Sequence, residues 1–347
     1  MSQIASIDKN FAIKTALEKE DIQFYNVLNA PFVVKGVFYE DGMFRRMPEA
    51  VAKTVSEGVL YLHSNTAGGR VRFRTNSSYV AIHAEMAGVG KMSHFALCGS
   101  AGFDLYVKDI PMGTFTPPFE IQDGYESVVE LGAEEMREIT INFPLYSHVK
   151  ALYIGLSNRA TVCAPQPYRF EKPFVSYGSS ITQGGCASRP GMAYQAILSR
   201  RFDVDFINLG FSGSAKAEPE ISEYIKKLPM SAFLYDYDYN ANNAEYLEKT
   251  HERMFLEFRQ AQPDVPVVFM SAPKYNLSED LQRRREVVRK TYQNALAAGD
   301  NNVYLVEGPS LMAVYGDEGL VDGCHPTDLG FYSMAEGLND VFRKIYK

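Results

Sequence analysis

Hydrophobic and polar positions alternate in short runs through the first half of the chain. Val71 and Phe73 interleave with Arg70, Arg72 and Arg74, and after Asn76-Ser77-Ser78 the alternation resumes over residues 79–84. Further runs occupy residues 103–107, 138–143 and 152–156. Side chains along a strand point to opposite faces with a period of two, so each run predicts a strand with one buried face. Several such strands separated by turn residues predict an antiparallel, jelly-roll-like β-sandwich.

From about residue 170 the rhythm changes. Apolar runs at 174–175, 206–209, 232–234, 265–270 and 303–306 alternate with helical stretches at 192–202, 218–227, 244–260, 281–297 and from 329 onward. That order predicts an α/β three-layer domain whose parallel sheet is covered by helices. The Pro165-Gln166-Pro167 stretch marks the expected junction between a domain over residues 1–167 and another over 168–347. So short a connection predicts two domains packed together rather than swinging freely.

In open parallel sheets, ligands bind beyond the carboxyl ends of the strands. Ser180, Gly213 and Asn240 each follow an apolar run within a few residues, and His325 lies just before the last helix. Ser180 sits in Tyr177-Gly178-Ser179-Ser180-Ile181-Thr182-Gln183-Gly184, and His325 in Asp322-Gly323-Cys324-His325-Pro326. A serine hydroxyl is a poor nucleophile until a base takes its proton, and that base needs a partner to hold its tautomer. Serine, aspartate and histidine are all present. Each motif also has a structural reading: a serine capping a helix, or a carboxylate and imidazole in a solvated turn. Gly213 could bring a backbone N–H close to a substrate oxygen, and the Asn240 amide could donate to the same oxygen.

Composition narrows the partners. The chain has 347 residues, 46% hydrophobic and 22% charged, as expected of a folded protein long enough for two domains. A net charge of -7 argues against nucleic acid, whose phosphates need basic surface. Arg283-Arg284-Arg285 lies among Glu279, Asp280 and Glu286 on a predicted helix and is read as a solvated face. Cys98, Cys163, Cys186 and Cys324 lack paired short spacings, which disfavours both a zinc site and a disulfide framework. Cys186 and Cys324 neighbour the motifs and are read as packed, inert thiols. His63, His83, His94 and His148 fall in the first half without ligand spacing, so core or surface roles are expected, with no metal and no cofactor. No apolar run is long enough for a leader or a membrane span. A cytoplasmic protein is the expectation, with secretion open if a leader was removed. Oligomeric state is not legible.

Block by block, Ser180, Gly213, Asn240 and His325 resemble the four signature residues of the SGNH (GDSL-type) hydrolase superfamily. Tyr177 to Gly191 and Asn208 to Gly213 are similar to a branch with a β-sandwich in front, marked by Gly-x-Asp-Leu-Tyr; here Gly102-Phe103-Asp104-Leu105-Tyr106 fits. The resemblance implies Ser180 as nucleophile rather than the adjacent Ser179, His325 as base and then acid, and Asp322 as its orienting partner. It implies an oxyanion hole from the N–H groups of Ser180 and Gly213 and the Asn240 side chain. Ser179 departs from the aspartate common at that place, and Asp238 and Ala241 flank Asn240 where Gly and Asp are common. The function implied is a serine esterase, expected to deacetylate an acetylated sugar or oligosaccharide. The alternatives are an acyltransferase using a small-molecule alcohol, or a non-catalytic carbohydrate-binding protein.

Overall fold

A computed structural model describes residues 17–347. The expected first domain begins at residue 1, and its first sixteen residues, which carry the reading of a chain without a leader, lie outside the described residues. Strands β1 (Ile22–Asn26), β2 (Val33–Lys35), β3 (Phe38–Glu40) and β4 (Met43–Arg45) precede helices α1 (Glu49–Val55) and α2 (Glu57–Leu62). Then come β5 (Arg70–Thr75), β6 (Tyr79–Gly88), the short helix α3 (Leu97–Ser100), β7 (Phe103–Val107), β8 (Ile110–Phe115), β9 (Gly124–Glu130), β10 (Arg137–Asn142), β11 (His148–Ser157) and β12 (Val162–Cys163). The strands form two main antiparallel sheets, ordered β1-β11-β6-β9 and β12-β5-β10-β7-β8, with β2 added beside β5, and a separate β3-β4 hairpin. Val71, Phe73, Ile82, Phe103, Leu105, Ile139, Ile141, Leu152 and Ile154 fill the space between them.

Strand β5 shows why alternation is an incomplete guide. Val71 and Phe73 face the sandwich core, as their spacing predicts. The interleaved arginines would ordinarily face water, yet Arg70 is 1% and Arg72 7% exposed. They turn toward the second half of the chain. Arg70 pairs with Asp205 and donates to the Tyr168 hydroxyl at 2.9 Å, and the Arg72 guanidinium lies 3.9 Å from the Tyr168 ring centre.

That second half holds β13 (Phe170–Gly178), α4 (Ser180–Gln183), α5 (Tyr194–Phe202), β14 (Val204–Gly210), α6 (Pro219–Ile225), β15 (Ala232–Asp236), α7 (Ala244–Ala261), β16 (Val267–Met270), α8 (Glu279–Ala297), β17 (Val303–Val306), α9 (Gly308–Leu311) and α10 (Asp328–Ile345). Its five strands are parallel and ordered β14-β13-β15-β16-β17. The chain leaves β13 for β14 on one side and returns to β15 on the other, so the order reverses at the carboxyl end of β13. Among the described residues no helix is long and apolar enough to cross a membrane.

Arg46 links the halves. It is 2% exposed, and its guanidinium donates to the carbonyls of Asn65 (2.6 Å), Leu62 (2.7 Å) and, across the junction, Gly210 (2.6 Å). It also lies 4.9 Å from the Phe211 ring centre. Burial pulls its pKa down to about 9, leaving it charged at neutral pH. Truncation would remove a buried cation that donates to the carbonyls of Leu62, Asn65, Asn208 and Gly210, so Arg46→Met is expected to cost roughly 3–5 kcal/mol of folding stability. Denaturant titration of the full chain checks this; a loss below about 1 kcal/mol would show that the carbonyls find other donors.

Candidate active site

Strand β13 ends at Gly178, where a Cβ would collide with the Asp236 carbonyl and the Thr182 hydroxyl. The turn that follows separates the two serines. Ser179 is the N-cap of α4: its hydroxyl accepts from the Ile181 N–H at 3.1 Å, and the residue is buried. Ser180 opens the helix half-exposed, and its Oγ lies 2.9 Å from His325 Nε2. Cap and candidate nucleophile are therefore adjacent residues with different surroundings.

His325 and Asp322 share a turn. The backbone N–H groups of Cys324 and His325 donate to one Asp322 oxygen at 2.9 and 2.7 Å, and His325 Nδ1 lies 2.7 Å from the other. Lys274 Nζ donates to the Gly323 carbonyl at 2.5 Å and braces the turn. Burial alone would raise the Asp322 carboxyl, but the His325 and Cys324 N–H groups and the imidazole outweigh it and bring it down to about 2. Asp322 is thus ionised at neutral pH. With Nδ1–H donating to it, Nε2 is left as the acceptor facing Ser180.

The donors for an oxyanion come from two loops tied to this turn. Gly213 follows β14 at φ +68°, a left-handed backbone that favours glycine, and a Cβ there would meet nothing within 4 Å. Among the described residues, the N–H groups of Ser180 and Gly213 have no acceptor. Asn240 Nδ2 donates to the Phe211 carbonyl at 2.9 Å, which leaves its second N–H free for another acceptor. Ser212 N–H donates to Gln183 Oε1 at 3.1 Å, joining the Gly213 loop to the helix that carries Ser180. Ser180, His325 and Asp322 are therefore in direct hydrogen-bond contact, while the loops carrying Gly213 and Asn240 follow β14 and β15 and are tied to the Ser180 helix and to each other through Ser212–Gln183 and Asn240–Phe211.

Other contributors carried no local signal. Arg284 is a correction: the Arg283–Arg285 run was read as a solvated face, and Arg283 is exposed, but Arg284 is 8% exposed. Its Nη1 donates to the carbonyls of Asp238 (3.0 Å) and Ala241 (2.7 Å), fixing the loop that presents Asn240. The buried Asp238, pushed up to about 6 by burial, accepts from the Ala272 N–H at 2.9 Å in the same loop. The Gly-x-Asp-Leu-Tyr mark also acquires a physical reason. Asp104 is fully buried and accepts from Arg189 Nη1 (2.9 Å) and the Gly191 N–H (2.8 Å). It thereby anchors the segment that follows Ser180 to the sandwich.

Two sandwich residues reach Ser180 and Asp322 themselves. The Tyr146 hydroxyl donates to the Ser180 carbonyl at 3.2 Å. His94, expected to have a core or surface role, brings Nε2 to 3.8 Å from Asp322 Oδ2, with its ring centre 5.8 Å from that of His325. Cys324 is half-buried, and Cys186 is buried beside the same histidines.

Comparison with known proteins identifies the family and the fold. The GDSL-like lipase/acylhydrolase family pattern matches residues 171–343, and that of the N-terminus of SGNH-hydrolase-type esterases, GxDLY, matches residues 22–162. A protein described as a GDSL-like lipase from Bacteroides ovatus ATCC 8483 is similar at 29% identity and TM-score 0.83, over 93% of this chain and 98% of that one. A salicylyl-acyltransferase from a tetracycline biosynthetic pathway shares 19% identity (TM-score 0.77; 94% and 98% covered). A family two carbohydrate esterase from Cellvibrio japonicus shares 12% (TM-score 0.63; 94% and 98%). At those identities the last two are likenesses of fold. No curated protein matches the chain.

Proposed function

The chain belongs to the GDSL-like lipase/acylhydrolase family and is an esterase; on that premise we propose that Ser180 hydrolyses short acyl esters of sugars through an acyl-enzyme. The observation that carries the mechanism is the line from Ser180 Oγ to His325 Nε2 at 2.9 Å and from His325 Nδ1 to Asp322 at 2.7 Å. As Oγ attacks the ester carbonyl carbon, its proton passes to Nε2. The carbonyl oxygen becomes an oxyanion that accepts from Ser180 N–H, Gly213 N–H and the free Asn240 N–H. The imidazolium then gives its proton to the departing alcohol oxygen. Water repeats the sequence on the acyl-enzyme, releasing the acid and restoring Ser180. Asp322 keeps Nδ1 protonated and stabilises the imidazolium in both halves.

The small acyl group is supported by crowding, since Tyr146 and His94 stand close to Ser180 and the Asp322–His325 pair. The sugar is supported by the architecture shared with carbohydrate esterases. A panel of acetyl, butyryl and octanoyl aryl esters beside acetylated xylo-oligosaccharides tests both parts. Fastest turnover of the octanoyl ester sinks the short-acyl reading; no acetate from the oligosaccharides sinks the sugar. With an added alcohol, free acid as the main product supports hydrolysis, and a dominant transesterified product would make the chain an acyltransferase.

Asn240→Ala is expected to lower kcat by about 10²–10³-fold with little change in KM, because the lost donor acts on charge that develops only in the transition state. Steady-state kinetics on the acetyl ester reads it. A rise in KM alone would place Asn240 in ground-state binding instead.

A further inference from the structure

We propose that His94, Cys186 and His325 form a binding site for a borderline-soft divalent cation such as Zn²⁺, and that occupancy switches the esterase off. The ligand atoms of the three side chains lie within 4.8 Å of one another. They come from three remote segments: the sandwich loop before α3, the turn after α4, and the loop before α10. Two imidazoles and one sulfur are donors that suit zinc, and three protein ligands with an open fourth position recur among its open sites. Metal–ligand bonds of about 2.0–2.3 Å would hold the donor atoms a little closer together than they stand here. His94 is exposed on a surface loop, so its side chain can close that gap.

The surroundings favour a cation. Asp322 Oδ2 lies 3.8 Å from His94 Nε2 and contributes a negative charge at neutral pH, as well as an acceptor that can orient an imidazole. The metal–sulfur bond forms as the Cys186 thiol proton leaves to solvent.

The inhibitory consequence rests on the assignment of His325 as the general base. An imidazole whose lone pair is held by a metal cannot take the Ser180 proton. The metal site itself does not depend on that assignment, and the two are tested separately.

Cobalt serves as the spectroscopic probe. One equivalent of Co²⁺ added to the full-length protein under a non-thiol reductant is expected to produce thiolate-to-cobalt charge-transfer absorption. The absorption should vanish in Cys186→Ser, persist in Cys324→Ser, and persist in Ser180→Ala, which keeps every ligand. Zn²⁺ should suppress ester hydrolysis reversibly, with a chelator restoring it. His94→Gln should raise the zinc concentration for half-inhibition, relative to its own metal-free rate, by at least about tenfold. No charge-transfer band, or a band that survives in Cys186→Ser, overturns the site. Equal zinc sensitivity of wild type and His94→Gln does so too. If the band forms but Ser180→Ala still hydrolyses esters, the hydrolytic assignment fails and the metal site stands.

Discussion

Ser180→Ala is expected to lower kcat/KM for an acetyl ester by on the order of 10⁵-fold or more, with the folded state intact. The hydroxyl is half-exposed and its Oγ meets His325 Nε2 across the cleft, so its loss removes the nucleophile without opening a cavity in the core. His325→Ala should cost a similar factor, because a serine without its base is nearly inert. The double variant should be scarcely worse than either single one, since the two groups act as a unit. Non-additivity separates this mechanism from two independent contributions to binding. Kinetics on the three variants, with thermal unfolding as a folding control, measures it. Ser180→Ala retaining even a tenth of wild-type activity would transfer the nucleophile elsewhere.

Asp322→Asn should reduce kcat by about 10³–10⁴-fold. The substitution keeps the shape of the turn but exchanges an acceptor for an amide, which can present its N–H to His325 Nδ1. The imidazole then favours the tautomer that points N–H toward Ser180 and cannot accept its proton. The expected factor is set toward the lower end because the Asp322 side chain is 33% exposed, where water screens the interaction. The wild-type carboxyl is held at about 2, so protonation of Asp322 should impose no rate loss above about pH 4. A loss under about tenfold for Asp322→Asn would mean that solvent can orient His325 in its place.

What was legible in the chain divides by distance along it. Ser180 with its cap, and Asp322 with His325, are contained in segments of a few residues, so local chemistry identifies them. The parallel-sheet half was legible from its rhythm because strands and helices alternate there. Boundaries slipped by a residue or two at helix starts that no side chain caps. The helix expected from residue 192 is Tyr194–Phe202, preceded by a 3-10 turn at Pro190–Met192, and the last begins at Asp328 after Thr327. Arg46, Asp104, Arg284 and His94 were not legible as parts of the site. The Arg46 contact to Gly210 spans 164 residues and the Arg189 contact to Asp104 spans 85. No periodicity records which remote carbonyl a buried arginine will satisfy. The same blindness produced the misreading of Arg284, whose acidic neighbours look like those of any solvated helix face.

Tyr146 and His94 line the cleft from the sandwich, while Ser180, Asp322, His325, Gly213 and Asn240 all belong to the other half. The wall and the chemistry are therefore encoded in different stretches of the gene. Changes confined to the front stretch that spare Tyr146 and His94 leave the residues of the Ser180–His325–Asp322 line untouched. The hydrogen bond from Tyr146 to Ser180 therefore couples the two stretches, and substitutions at that contact must be tolerated by both.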